Sequence, residues 1–515
     1  MGFLSNLSTR VAGRFGLVPK SVARSAVRYV YRSFAAAKMG RLTSSWETTD
    51  RHINDELRGD LDRLRNRSRD LFKNDEYARK FGEMVRNNVI GATGILVKQR
   101  IYDPSGAPDA VAQTAIAEAW QRWCRRGICE IAGQQSFRDL QRGLITDAVR
   151  DGEFLLQKVR GAAARNDFGF ALQRLDPSRL DTQFNRDAAS GVNAVIMGVE
   201  VDDYLRPVAY HLLESVNAVA GSRKRIRVLA DEIIHGFVPD DFCEAKRGVP
   251  WMYAAMLRLN DLKAYREAAI IAARVGASKM GFYVQKEGHI TDPEEMSDGK
   301  DDEGKLLDKV EPGVFDLLPS GIADFKTFDP AYPHDQFEPF TTAALRGIAS
   351  GIGVSYVGLG NDLKGVNFSS IRQGVLAERD QWMTVQDWFI EAFIEEVYPE
   401  WLRFALLNGQ VLTEYGSALP LSKYEKFLSH ECQGRRWPWV DPLKDAQAAI
   451  LRLNNKLTSR TRIANEAGAD IEDVFAELEN EEKLAAEYNI DLALPPAAAP
   501  SVHKPKDEKD DTETD

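Results

Sequence analysis

At 515 residues the chain is too long for one ordinary hydrophobic core; at roughly 150 residues per domain it divides into about three. Its 44% hydrophobic, 28% charged and 9% aromatic residues are those of a globular protein, which excludes wholesale disorder and a collagen-like repeat. The net charge of −10 hides an asymmetry: residues 1–46 contain Arg10, Arg14, Lys20, Arg24, Arg28, Arg32, Lys38 and Arg41 and no acid, so the remainder sums to −18.

An acidic body repels phosphate, so only the basic arm has the charge for steady contact with nucleic acid or an acidic surface. Read alone, the arm fits a mitochondrial transit peptide or a disordered basic tail. No run approaches the 18 or so apolar residues of a spanning helix; Ala268–Ala277 is short and carries Arg274. Four cysteines (Cys124, Cys129, Cys243, Cys432) are too few for a disulfide framework and fit a reducing compartment. The N-terminus has no continuous apolar stretch of the secretory kind.

From Asp50 the pattern is helical. Ile53, Leu57, Leu61 and Leu64 form one apolar stripe. Asn74 or Asp75 caps a second helix to about Asn88, and Gly91 ends it. Ile95–Tyr102 reads as a strand and Asp103–Gly106 as a turn, with helices over 109–126 and 136–151. Between 152 and 240 the period shifts to two. Strands are predicted at Glu153–Arg160, Phe168–Leu175, Val192–Val201, Arg206–Leu213 and Glu232–Val238, with a hairpin at Asp202-Asp203. An Ala-dense helix follows from about Pro250 to Gly276; proline suits a first turn, and small side chains let another helix approach closely. The acidic segment Asp292–Gly304 reads as an exposed loop between short strands near 279–285 and 314–328.

A helix from Gln336 to about Ser350 leads into a Gly-rich stretch. A long helix then runs from about Ser369 to Val397 with Ile371, Val375, Trp382, Val385, Phe389 and Phe393 on one face, and Pro399 is expected to break or bend it. Short helices run from 443 to about 487, and the Pro/Ala-rich, then charged end reads as disordered. The fold class is α+β.

Enzyme signatures fail on inspection. Gly358–Lys364 lacks the Ser or Thr after lysine that a phosphate loop needs; Gly365 follows instead. Gly353-Val354-Ser355-Tyr356-Val357-Gly358 is one residue too long for a nucleophile elbow and reads as a flexible loop. Asp231–His235 lacks the first histidine of a zincin helix, and its Ile233-Ile234 pair favours a strand. Cys124 and Cys129 lack partners at zinc-ribbon spacing and read as buried free thiols. No catalytic group, metal site or cofactor is expected. The residues alone point to a structural or assembly role.

Several segments, in this order and spacing, resemble the portal proteins of lambda-type tailed phages. They are Leu64-Arg65-Asn66-Arg67-Ser68-Arg69-Asp70-Leu71 with Asn74, Asn87–Ile95, Gln173-Arg174-Leu175-Asp176-Pro177-Ser178-Arg179-Leu180-Asp181, Ala230–His235 and Arg247-Gly248-Val249-Pro250-Trp251. The helix Leu262–Ala273, Arg346–Tyr356 and Val366–Arg372 continue the series. The resemblance covers nearly the whole chain apart from the first 45 and last 30 or so residues. It implies a ring, usually a dodecamer, at the one capsid vertex through which double-stranded DNA is packaged and ejected. The chain would then sit in the virion, and in the host cytoplasm during assembly. The implied partners are further copies of the chain, the terminase large subunit, capsid and scaffold proteins and head–tail connectors, with no membrane.

On the family plan the basic arm is 1–46, the wing 47–250 with the long helix 369–401, and the stem 251–276 and 336–353. The clip is 277–335, the tunnel loop 354–368, the mostly helical crown 402–487 and the acidic tail 488–515. The tunnel loop would present Gly358, Gly360, Asn361, Asp362, Lys364, Gly365 and Asn367 to DNA. Its glycines imply backbone freedom, and its lone lysine implies weak contact. The acidic body fits a channel that must pass DNA without holding it. The alternative is a nuclease-like phage enzyme with a metal–carboxylate site.

Overall fold

The computed structural model describes residues 48–214, 224–239, 243–277, 281–285, 299–300, 306–307, 322–327, 336–364, 368–437, 442–490 and 492. The eight basic residues of the arm, Gly365 and Asn367, most of 277–335 and nearly all of the tail lie outside them. The chain divides into two units, 1–56 and 57–515; of the first, the described part is 48–56.

The first helices are α1 (Ile53–Asn74) and α2 (Glu76–Val89), followed by β1 (Leu96–Gln99), α3 (Ala110–Trp123) and α4 (Phe137–Asp151). Leu57 and Leu61 of the predicted stripe are buried. The Asp75 carboxylate caps α2 by accepting from the Ala78 N–H. Ser136 and Asp139 close a capping box on α4, which satisfies donors that a helix start otherwise leaves orphaned. Helix α3 ends three residues earlier than predicted, at Trp123; Gly127 turns the chain at φ 87°.

Two antiparallel sheets follow. One has the order β3–β2–β8, from β2 (Glu153–Arg160), β3 (Phe170–Leu175) and β8 (Ile233–Phe237). The other runs β4 (Ala194–Ile196), β5 (Val199–Val201), β6 (Pro207–Leu213), β7 (Arg225–Leu229). The predicted strand Val192–Val201 is two strands, because Met197 (φ 46°) and Gly198 (φ 85°) turn the chain in its middle. Asp202-Asp203 does lie in the β5–β6 connection, and the two strands pair antiparallel.

Helix α5 (Met256–Ala277) begins six residues after Pro250. The intervening residues are held in turns: Trp251 N–H donates to Val149 O (3.1 Å), and Ala255 N–H to Met252 O (2.8 Å). Beyond it β9 (Gly281–Gln285) pairs antiparallel with a strand at Ile322–Thr327. The predicted acidic loop contains a further strand residue pair, Gly299–Lys300, which pairs with Leu306–Leu307. Numbered along the chain these are β10 (Gly299–Lys300), β11 (Leu306–Leu307) and β12 (Ile322–Thr327).

Then come α6 (Phe337–Gly351), the short α7 (Tyr356–Gly360) and α8 (Phe368–Phe389). A π-helical turn at Ile390–Ile394 leads into α9 (Glu395–Leu407). Pro399 therefore neither breaks the helix nor ends it. Proline removes the N–H that residue 395 would have accepted and crowds that carbonyl; the wide turn just upstream, where Glu395 N–H reaches back to Ile390 O, fits that local constraint. After α9 come α10 (Tyr424–Phe427), β13 (His430–Gln433), α11 (Pro442–Asn454), α12 (Arg460–Glu466) and α13 (Ile471–Tyr488). Strand β13 pairs with β1 and lies ahead of the short helices that begin at Pro442.

One large core joins α1–α9 and the first sheet, and a separate smaller one, with Val199, Val201, Tyr210, Leu212 and Val228, lies under the second sheet. Trp120, Trp123, Phe137, Phe154, Phe170, Phe389, Phe393, Tyr398 and Trp401 all belong to the large core, as do Val411 and Phe427. Trp120 packs edge-on against Trp401 with ring centroids 4.7 Å apart. Among the described residues no helix is long and apolar enough to cross a membrane.

Candidate DNA-facing loop and its frame

The loop is hung on the ends of α6 and α8. Gly353, at φ 70°, reverses the chain against α8, where a Cβ would meet Gln381 Nε2 at 2.6 Å. Val354 N–H donates to Ala349 O (3.0 Å). Ser355 then caps α7: its hydroxyl accepts from Gly358 N–H (3.1 Å), and Leu359 is buried. Asn361 ends α7 in the left-handed region, φ 51°.

Of the three glycines expected to give the loop its backbone freedom, Gly365 lies outside the described residues. Gly358 and Gly360 lie within α7. Gly358 serves close packing: a Cβ there would stand 2.8 Å from both Met84 Cε and Ser355 Oγ. The Tyr356 hydroxyl donates to Asp362 Oδ2 (2.6 Å), and Lys364 N–H to Asp362 Oδ1 (2.9 Å). Tyr356 thereby holds the Asp362 carboxyl below its ordinary range. Lys364 Nζ reaches Glu338 Oε1 on α6 (2.9 Å), which raises its pKa. Both side chains remain largely exposed, at 80% and 71%. The structure therefore brings Asn361, Asp362 and Lys364 together beside α6, with the lysine already paired. Arg346 of α6, which sequence reasoning did not single out, lies over the Tyr356 ring at 5.3 Å.

The frame behind the loop is fixed by buried charge. Glu153 begins β2 and is fully buried. It accepts from Arg65 Nη2 (2.8 Å), Arg247 Nη2 (2.6 Å) and Gly248 N–H (3.1 Å), and His235 Nε2 lies 3.0 Å away. Burial pushes this carboxyl up, but Arg247, His235 and Arg65 together hold it well below the usual carboxylate range. Arg247, itself fully buried, also donates to Met197 O (2.8 Å). Beside it Arg69 clasps Asp151 (2.6 and 2.9 Å) and Asp176 (2.6 Å), and Arg174 clasps Asp147 (2.6 and 2.7 Å). The segments quoted above as carrying the resemblance converge here: Arg65 and Arg69, Arg174 and Asp176, His235, Arg247 and Gly248. Their charges join helices to the first sheet. His235 is thus a strand residue, as its sequence context predicts, and its Nε2 faces Glu153, which the sequence did not indicate.

Cys124 and Cys129 are free thiols, both pushed up by burial, Cys129 to about 12. Among the described residues one group of three metal-ligating side chains comes together, Glu395, His430 and Cys432; the sequence predicted none. The carboxylate cluster that the nuclease alternative needs is not found among the described residues.

Comparison with known proteins adds the following. The family model described as phage portal protein, lambda family, matches residues 39–386. A relative from Halomonas phage phiHAP-1, named a probable portal protein, is 31% identical over 526 residues, covering all of this chain and 99% of its own. Among solved structures, a chain in the neck of a native gene transfer agent particle, computed with C12 symmetry, aligns with a TM-score of 0.40 and 17% identity over 84% of this chain and 98% of its own. A chain in the neck of the empty particle, computed with C6 symmetry, gives 0.41 and 18% over the same shares.

Proposed function

The chain belongs to the lambda family of phage portal proteins, and from that premise we propose that copies of it close into a ring whose channel passes double-stranded DNA at one capsid vertex. The single observation that carries the ring is an uncovered apolar face on α5. Leu259, Leu262 and Ala269 face the chain's own core and are buried. On the opposite side Leu257, Ala264, Ala268 and Ile271 follow at steps of seven, four and three, which keeps them on one face. All four are exposed, Leu257 at 72% and Ile271 at 59%. Burying each large side chain contributes about 1.5–3 kcal/mol, and the alanines between them let a second helix approach. A second copy of the same helix region is the occupant proposed, since obligate interfaces resemble a core cut in two.

In this reading α5 and α6 are the stem, the segment between them the clip, and residues 354–368 the tunnel loop. Residues 402–437 share the large core with α3, α4 and β3, so we place them with the wing and start the crown at α11. Residues 354–364 of the loop act as a packed buttress against α6 and α8. A phosphate reaching Lys364 has to displace Glu338, and Asp362 stands beside it, which keeps any grip on DNA weak. Terminase, capsid, scaffold and connector proteins are the partners this family role implies, and the role itself is structural, without catalysis.

Sedimentation of the purified chain at micromolar concentration tests the reading. Wild type should associate well beyond the 57.6 kDa subunit. Leu257→Lys with Ile271→Lys should shift the population toward monomer with unchanged circular dichroism. A folded wild-type monomer at every salt concentration, or a double variant that assembles like wild type, refutes the α5 interface.

A further inference from the structure

His430 and Cys432 are two apart on β13 and so point to the same side of the strand. That side meets the first turn of α9, where the π-helical turn ends and Glu395 begins the regular helix. His430 Nε2 lies 3.2 Å from Glu395 Oε1, Cys432 Sγ lies 4.0 Å from the same oxygen, and the three ligand atoms all fall within 4.8 Å of one another. The His430 side chain is only 8% exposed, and its Nε2 makes no hydrogen bond. Its other nitrogen, Nδ1, sits 2.7 Å from Leu428 O. Nδ1 therefore donates to that carbonyl, and Nε2 is the ring nitrogen that faces Glu395 and Cys432. A backbone carbonyl on the far nitrogen is how a metal-binding imidazole is normally oriented. The Tyr398 ring, 4.3 Å from His430 between centroids, fixes the plane of the imidazole.

We propose that Glu395, His430 and Cys432 form a three-ligand site for a zinc-class divalent cation, which ties β13 to the start of α9. One nitrogen, one sulfur and one carboxylate oxygen suit zinc; magnesium and calcium prefer all-oxygen sets. Ordinary zinc bond lengths in a tetrahedron separate N from O by about 3.3 Å and S from O by about 3.6 Å, against 3.2 and 4.0 Å here. The third separation, Nε2 to Sγ, lies within 4.8 Å against about 3.6 Å in the tetrahedron, so closing the site takes a rotation of the Cys432 side chain that moves its sulfur by up to about 1 Å. On binding, the sulfur–cation bond forms as the thiol proton leaves to solvent, and the fourth position is left to water. Without the cation the thiol stays protonated, since burial and the neighbouring Glu395 and Glu431 push it up. The site requires no assembly, so it stands apart from the ring.

The full chain, stripped with a chelator and titrated with Co2+, tests the site. One Co2+ per chain should bind with a near-ultraviolet thiolate charge-transfer band, and Zn2+ should displace it. Cys432→Ser should abolish the band, and His430→Ala should weaken binding at least tenfold, since even loss of an outer-shell partner weakens metal binding about 10–100-fold. Cys243→Ser, at an exposed thiol, should change nothing. Folded wild type without a thiolate band at 100-micromolar-scale Co2+ overturns the proposal and leaves a plain His–Glu ion pair. So does a band that survives Cys432→Ser or vanishes with Cys243→Ser. Sedimentation of the same samples reads ring formation separately, so loss of one does not imply loss of the other.

Discussion

Replacing Glu153 by Gln keeps the shape of the side chain and removes its charge. Arg247, fully buried, and Arg65, 2% exposed, are then left opposite a neutral amide in the interior. Breaking a buried pair from one side costs about 3–5 kcal/mol, because the surviving charge is uncompensated. An unfolding entropy of about 2.1 cal/mol/K per residue, over the roughly 380 residues from α1 to β13, converts this to a fall in Tm of about 4–6 °C. The comparison is thermal unfolding by circular dichroism at one fixed chain concentration, because assembly raises apparent stability. The control is Asp60→Asn, which opens the Arg63–Asp60 pair, 65% and 61% exposed; such a pair contributes about 0–1 kcal/mol. The pH dependence has a definite sign. The folded pKa of Glu153 is depressed, so its stabilisation is fully present above the unfolded value of about 4.3 and is lost as pH falls through the folded value. The gap between wild type and Glu153→Gln should be constant above about pH 5 and close only in acid below that unfolded value. A variant no less stable than Asp60→Asn at neutral pH would refute the claim that this cluster holds the frame together.

Gly248→Ala should destabilise the same region by at least about 1–3 kcal/mol, because the new Cβ would lie 2.0 Å from Gly152 O; hydrogen exchange at the α4–β2 junction reads the effect. Lys364→Ala should leave folding and assembly unchanged, since its partner is as exposed as it is, and should alter packaging or retention of DNA; wild-type packaging removes Lys364 from the mechanism, and failure to assemble places the loop at an interface. Deleting residues 1–41 should weaken binding to duplex DNA and flatten its salt dependence by about 0.9 in the log–log slope for each phosphate the arm neutralises; an unchanged slope assigns the arm to a protein surface.

Local patterns were legible where side-chain period and burial agree. Glu153–Arg160 falls on β2 residue for residue, and Trp382, Phe389, Phe393, Val397 and Trp401 of the predicted stripe are the buried face of α8 and α9. Strand β7 escaped because it is an edge strand with Val228 alone buried, so its burial gives no alternation to read. Strand β13 escaped because four residues carry little pattern and its partner β1 lies more than 300 residues earlier; only the folded chain brings them together. The same non-local pairing is why Glu395, His430 and Cys432 gave no signal: the 34 residues between glutamate and histidine match no metal-ligand spacing. In the loop, glycine composition suggested mobility, while the folded chain uses Gly358 for contact with Met84. Glu153 was placed only as the first residue of a strand; the arginines that surround it lie 88 residues before and 94 residues after it.

The central claim is that this chain closes into a ring around a channel. Electron microscopy of the purified full-length protein, in negative stain and then at higher resolution, tests it most directly. The account predicts closed rings with a central hole wide enough for duplex DNA, about 20 Å or more, with α5 of each copy against its neighbour and residues 354–364 facing the lumen. Well-folded particles without a hole, or rings whose lumen is lined by other segments while α5 faces solvent, would contradict it.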